Sequence, residues 1–344
     1  MTTAIRLYRS SRASQQINKG RYAITMTKLA LMTAVVTMAG VMFVAPTAAQ
    51  AAAPLKWAVS SGTTLVRGSG TTGFTHLGPG QYEVTFNSSV NGCAYVASTQ
   101  VSATQALTVF TAGGHLSLNG VYVETKNQGG GLSDAPFHLF VSCDATGSAE
   151  RHVVVGYMNN LVRSSVGTTM VGLGAGRYNV HFTRNVRGCA YLATVGDPAN
   201  SLVFSPSGVY TSADPADVNG VYIETKNPGG GLQSGVPFHL AVVCPVSNFR
   251  LVVVNANGTP QRASSLTSAF SSSVGQYTAA TDRDVSQCAW IATRGETGIA
   301  VPFTPTTVEV TRGPAKNTVN VQQRNLLFFG GAFVNQAFHL VAAC

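Results

Sequence analysis

The sequence predicts an all-β chain of three tandem small β-sandwich modules, each closed by its own disulfide, and three observations carry that prediction. Gly80-Gln81-Tyr82, Gly176-Arg177-Tyr178 and Gly275-Gln276-Tyr277 each stand eleven residues, counted from the Tyr, before a Cys-Ala-aromatic step opened by Cys93, Cys189 or Cys288. Phe137-His138-Leu139, Phe238-His239-Leu240 and Phe338-His339-Leu340 each stand six residues, counted from the Phe, before Cys143, Cys244 and Cys344. Between these anchors apolar residues recur with a period of two, the spacing of half-buried strands. A pattern that returns with fixed internal spacing marks a repeat array.

The first 53 residues read as an upstream extension followed by a secretory signal peptide. Met26-Thr27-Lys28 precedes an apolar run from Leu29 to Val44 and the small-residue segment Ala48-Ala49-Gln50-Ala51, the three parts of an export signal. The apolar run is short for a membrane-spanning helix. Six of the 22 Lys and Arg residues and none of the 13 acidic residues precede Ala51, so removal of the leader lowers the formal charge from +9 to +3. The remaining body has no basic run to track a phosphate backbone, which argues against nucleic acid as partner, and Arg184 and Arg187 read as part of a solvated turn. No later stretch is apolar enough to cross a bilayer, and the expectation is a secreted protein, soluble or held non-covalently at the cell surface.

The modules are expected over 54–149, 150–248 and 249–344. In the first, Tyr82, Val84 and Phe86 alternate with Glu83 and Thr85; in the second, Tyr178, Val180 and Phe182 alternate with Asn179 and His181; the third has the weaker set Tyr277, Ala279 and Thr281. Asn119-Gly120 and Asn219-Gly220 signal tight turns, since Asn and Gly most easily adopt positive φ, and Gly129-Gly130-Gly131 and Gly229-Gly230-Gly231 mark the next loop. These signals give about seven short strands per module. From the first Cys to Val121, Val221 or Val319 the separations are 28, 32 and 31 residues, which places length variation in loops. The joints at 144–150 and 245–250 are short, so neighbours touch or flex only slightly, and each module is expected to fold on its own.

Six cysteines, two per repeat, suit an oxidising compartment. Six thiols allow fifteen pairings, but modules that fold alone reduce these to Cys93–Cys143, Cys189–Cys244 and Cys288–Cys344. Each bridge closes about 50 residues, for roughly 4 kcal/mol in the chain-entropy account. An immunoglobulin arrangement does not fit: the aromatics Tyr95, Tyr191 and Trp290 lie two residues after the first Cys, and Val141, Val242 and Ala342 stand where a tyrosine would precede the second. A jelly-roll-like sandwich is the expected form.

The set G-x-Y-x-V-x-F, V-x-x-C-A-Y-x-A-T and F-H-L-x-V-x-C resembles a repeated module of secreted actinobacterial proteins and, more loosely, the terminal β modules of bacterial collagen-like and phage fibre proteins. The likeness covers nearly all of 54–344. It implies an extracellular β module and no particular reaction.

Catalytic patterns are sparse. Glycoside chemistry needs two positioned carboxylates, but the one motif carboxylate shared by two copies is Glu124 with Glu224, and the third copy has Gln322. There is no G-x-S-x-G, no C-x-x-C and no H-E-x-x-H, and the triple-Gly loops lack the Lys-Ser or Lys-Thr end of a phosphate loop. His138, His239 and His339 lie opposite the Phe, Leu and Cys side chains of their strand, beside Phe140, Ala241 and Val341, and are expected to be structural, donating to backbone carbonyls. The binding candidates are Tyr122, Glu124 and Lys126 with Tyr222, Glu224 and Lys226. They share one strand face, where an aromatic ring beside hydrogen-bonding groups can hold a sugar by stacking; copy three carries Asn320, Gln322 and Arg324. The expected function is a non-enzymatic structural, adhesive or binding module at the cell envelope or outside it. Cell-wall or other extracellular glycan is the expected partner, and no cofactor or metal is expected. The alternative is an extracellular hydrolase or enzyme inhibitor with one specialised repeat.

Overall fold

The computed structural model describes residues 55–101, 105–144, 148–201, 207–264, 267–298, 305–326 and 331–344, and the expected leader lies outside them. The described residues form 24 strands and no helix. The first repeat contains β1 (Lys56–Ser60), β2 (Leu65–Ser69), β3 (Thr71–Gly78), β4 (Gln81–Phe86), β5 (Ala94–Gln100), β6 (Leu107–Gly113), β7 (Gly120–Asn127) and β8 (Phe137–Ser142). The second contains β9 (Glu150–Val155), β10 (Leu161–Ser164), β11 (Thr169–Gly174), β12 (Arg177–His181), β13 (Ala190–Val195), β14 (Gly208–Ala213), β15 (Gly220–Lys226) and β16 (Phe238–Val243). The third contains β17 (Phe249–Val254), β18 (Pro260–Ala263), β19 (Ser268–Ser273), β20 (Gln276–Ala280), β21 (Ala289–Arg294), β22 (Thr306–Arg312), β23 (Thr318–Asn325) and β24 (Phe338–Ala343). There are eight strands per repeat rather than about seven, because β2 and β3 are separate strands with a single glycine, Gly70, between them.

Each repeat is a sandwich of two four-stranded layers. In the second repeat these are β10-β9-β16-β13 and β11-β12-β15-β14, and the other repeats keep the same order. The G-x-Y glycines open the strand that carries the alternating Tyr, Val and Phe. Gly80 has φ +67°, and a Cβ there would meet the Thr125 carbonyl oxygen at 2.4 Å, so only glycine fits the turn. The side chains of Tyr82, Val84, Phe137 and Leu139 fill the space between the layers of the first repeat. Strand register explains the disulfides. Ala94 faces Ser142, Ala190 faces Val243 and Ala289 faces Ala343, which sets the flanking cysteines opposite each other. The three bridges are Cys93–Cys143, Cys189–Cys244 and Cys288–Cys344.

The repeats are not separate beads but pack against one another through a shared core. The described residues form one compact unit, because one layer of every sandwich is apolar on both faces. Its second face joins a shared core of Trp57, Val59 and Phe140 from the first repeat, Leu192, Ala241 and Val243 from the second, and Phe249, Leu251, Ile291 and Val341 from the third. This accounts for the Phe-His-Leu strands, in which every residue of β8, β16 and β24 is buried. Strands β5 and β6, with their counterparts, end their sheets and would leave open edges; the neighbouring repeats close them. Thr111 bridges Gly196 and Thr211 bridges Gly295, both in parallel. Strand β22 pairs in parallel with β5 through Glu309 with Thr99 and Val310 with Gln100. First meets second, second meets third and third meets first, so the chain closes on itself as a covalent counterpart of a cyclic trimer.

Candidate functional site at the seams between repeats

Each Phe-His-Leu imidazole reaches across a seam. His239 Nδ1 accepts the backbone N–H of Tyr95 at 3.0 Å, His339 Nδ1 that of Tyr191 at 2.7 Å, and His138 Nδ1 that of Trp290 at 2.9 Å. Since Nδ1 accepts, Nε2 carries the hydrogen in a neutral ring. Nε2 donates to the Asp197 carbonyl from His239 and to the Glu296 carbonyl from His339, both at 3.1 Å. At the third seam Nε2 of His138 lies 3.1 Å from the Gln100 amide, which must therefore present its oxygen. All three rings are fully buried. Burial lowers their pKa, to about 3 for His138 and His239 and well below the usual value for His339, and nearby arginines add to the effect. The donation to a backbone carbonyl expected from the sequence is present at two seams, but the acceptor role, which crosses to another repeat, was not foreseen.

Around each imidazole the same parts return. Tyr95 lies against His239 with ring centroids 4.8 Å apart, Trp290 against His138 at 4.9 Å and Tyr191 against His339 at 5.1 Å. Each of these aromatic rings also meets a guanidinium, Arg163 over Tyr95 at 5.6 Å, Arg67 over Trp290 at 5.3 Å and Arg262 over Tyr191 at 5.0 Å, an arrangement that favours the cation electrostatically. Tyrosine and tryptophan exchange here because both end in a donor: Tyr95 and Tyr191 hydroxyls and the Trp290 indole N–H bond the carbonyl five residues upstream. Beside them hydroxyls replace missing strand partners. Thr194 Oγ1 accepts from Ala97 N–H at 2.9 Å and donates to its carbonyl at 3.3 Å, and Ser98 Oγ does the same with Ala292 at 2.9 and 2.8 Å. Thr293 Oγ1 accepts from Ala193 N–H and donates to the Tyr191 carbonyl. These groups were missed from the sequence although a signal existed. Ser98, Thr194 and Thr293 stand five residues after the first Cys of each copy, and Arg67, Arg163 and Arg262 stand 26 before it.

The Tyr-Glu-Lys ladder is not the open face expected. Tyr122, Glu124 and Lys126 are 2%, 3% and 8% exposed, and Glu224 and Lys226 are buried with only Tyr222 half-buried. Glu124 accepts from the Tyr122 hydroxyl at 3.0 Å and pairs with Lys126 Nζ at 3.0 Å, while Glu224 does the same with Tyr222 at 2.7 Å and Lys226 at 3.1 Å. Lys126 lies over the Phe110 ring at 4.7 Å, and Phe110 packs into the core of the second repeat. His115 covers Tyr122, ring on ring at 3.8 Å. Burial, then the Glu224 carboxylate, pushes the Tyr222 phenol up to about 12. The face is covered because β6 and β14 lie beside it in the sheet and carry large side chains onto it from positions opposite the glutamates, Phe110 facing Glu124 and Tyr210 facing Glu224. A ligand could stack on Tyr122 only by displacing His115.

Asp144, His152 and Ser165 come together among the described residues and are wired for structure. Ser165 Oγ donates to Asp144 at 2.6 Å, and His152 Nε2 is 3.0 Å from the Gly92 carbonyl of the first repeat. The serine proton is thus directed to the carboxylate rather than to the imidazole, whose Nδ1 is 3.5 Å from Oγ, and Ser165 and His152 are buried. Among the described residues no group of three or more His, Cys, Asp or Glu is placed to hold a metal ion, and no helix is long and apolar enough to cross a membrane. Three disulfides are compatible with an oxidising, extracellular setting. Comparisons with protein-family models, with curated proteins and with solved structures find no match to this chain.

Proposed function

We propose that the chain is an exported, non-enzymatic head that works at the cell envelope or in the extracellular space as a structural or adhesive module, with a polymer such as cell-wall glycan as partner. The observation that supports this reading most is the use made of the recurring polar residues. All three motif histidines are buried and bonded across a seam, and the Ser, Thr and Arg positions that recur beside them serve the same contacts. Chemistry that recurs in every copy is committed to assembly, which suits a rigid body more than an enzyme.

A surface available to such a partner lies on the edge strands β3, β11 and β19. Leu77 on β3, Val171 and Leu173 on β11 and Phe270 on β19 are exposed there, Val171 and Phe270 by more than half. The test is retention of the disulfide-intact protein on cell wall, chitin and cellulose, run beside a general hydrolase screen. Retention without turnover, weakened by Phe270→Ser together with Val171→Ser, is the expected result. Turnover abolished by a single substitution would replace this reading with a hydrolytic one.

A further inference from the structure

We propose that the chain binds a small monovalent anion, a halide in the first instance, in a partly open pocket lined by all three repeats. The pocket has a volume of about 60 Å³, room for roughly two water-sized species. That is far below the roughly 300 Å³ at which small-molecule sites begin, so the space suits an ion better than a sugar ring or a nucleotide. Its wall takes equivalent positions from each repeat: Ser98, Thr194 and Thr293 from the ends of β5, β13 and β21, and Val109, Val209 and Val308 from β6, β14 and β22.

Two features select an anion. The wall includes Arg294 and no aspartate or glutamate, so the only formal charge it presents is positive. The Arg294 guanidinium donates to the Tyr210 hydroxyl at 3.0 Å and lies 4.5 Å from the centre of that ring, and it forms no ion pair among the described residues. Gly208 makes room for it, since a Cβ there would meet both terminal nitrogens at 2.9 Å; the other two copies hold Thr108 and Thr307 at that position. The second feature is Thr307 itself, which lines the pocket, is 4% exposed and has a buried hydroxyl with no hydrogen-bond partner among the described residues. A buried hydroxyl without a partner is unfavourable, and an anion beside Arg294 would accept its proton. The pocket breaks the three-fold pattern, with Thr99 and Val195 at the positions equivalent to Arg294, so it provides for one ion per chain.

The experiment is chloride-35 line broadening and thermal unfolding of the full disulfide-intact chain, in chloride against gluconate at equal ionic strength. Excess broadening is expected in the wild type, displaced by bromide. Once chloride exceeds its dissociation constant, each further tenfold rise should increase the folding equilibrium constant tenfold. Arg294→Gln should abolish both effects, and Thr307→Val should weaken binding several-fold; the second variant keeps the test open if the first fails to fold. Equal midpoints in chloride and gluconate with no excess broadening, or broadening that survives undiminished in both variants, would overturn the proposal.

Discussion

Three imidazoles remain neutral because each gives up its Nδ1 lone pair to a backbone N–H of another repeat, and protonation would turn that acceptor into a donor facing a donor. The unfolded chain takes up these protons near 6.5, whereas the folded chain resists until about 3 for His138 and His239 and to a still depressed value for His339. The unfolded state therefore binds more protons as pH falls through this window, and folding weakens by roughly 1 kcal/mol per pH unit for each ring. Glu150 acts in the opposite sense. Burial raises its pKa from 4.5 to about 7, partly offset by the Ser142 hydroxyl, so the folded state holds the extra proton and stability is lost as pH rises from 4.5 through 7. Three groups outweigh one. Urea midpoints measured at pH 7, 5.5 and 4.5 should fall steadily, and a flat profile would contradict the neutral clasps. Glu150 faces the shared core, where Phe249 occupies the corresponding position of the third repeat. Glu150→Leu should stabilise the protein by about 2 kcal/mol at pH 8, with the gain shrinking toward pH 4.5 in the same assay. His239→Ala should cost about 2 to 4 kcal/mol by leaving the Tyr95 N–H and the Asp197 carbonyl unpaired. The sequence alone showed that these histidines share a strand with apolar neighbours on both faces, hence their burial. It could not show the partner, which lies 144 residues away for His239.

Strands meet across the seams only where the backbone can approach, and glycine permits it. A Cβ at Gly196 would meet the Thr111 carbonyl oxygen at 2.4 Å and His239 Cδ2 at 2.8 Å, so Gly196→Ala should destabilise by about 2 kcal/mol or more, since backbone on both sides must shift. Thermal unfolding checks this, with Gly188→Ala, which has open space around its Cβ, as the control. The ladder strand β7 gives a second case. Glu124→Ala removes the carboxylate that Tyr122 and Lys126 share in a buried layer, and the loss of hydrogen bonds to a buried charged group costs about 1 to 3 kcal/mol; denaturant unfolding should show a loss of that order with no change in the disulfides. The alternation Tyr122, Glu124, Lys126 was readable as one strand face. Its burial was not, because period two shows that a face is shared but not what lies over it, and the cover comes from β6 and the loop carrying His115.

For the whole molecule, closure makes the three repeats interdependent. An excised second repeat, 150–248, would expose Leu192, Ala241 and Val243, which the shared core now buries. Burial of such side chains supplies about 1.5 to 3 kcal/mol each, while a single sandwich under 100 residues has little stability in reserve. The excised repeat should therefore form its disulfide but lack a cooperative unfolding transition, aggregating or binding hydrophobic dyes, whereas the full chain unfolds in one step. A sharp, reversible transition in the excised repeat would show that the shared core is dispensable.

The sequence by itself determined the strand period and the repeat, because these depend on local spacing: alternation sets the faces and fixed intervals set the copies, and the cysteine pairing followed only on the premise that each copy pairs within itself. Only the tertiary structure decided that the copies close into one body, that the motif histidines accept bonds from other repeats and that the Tyr-Glu-Lys face is covered. The reason is physical. An apolar residue in a strand declares that it will be buried, but it does not say against which surface, and here some of those surfaces belong to another repeat.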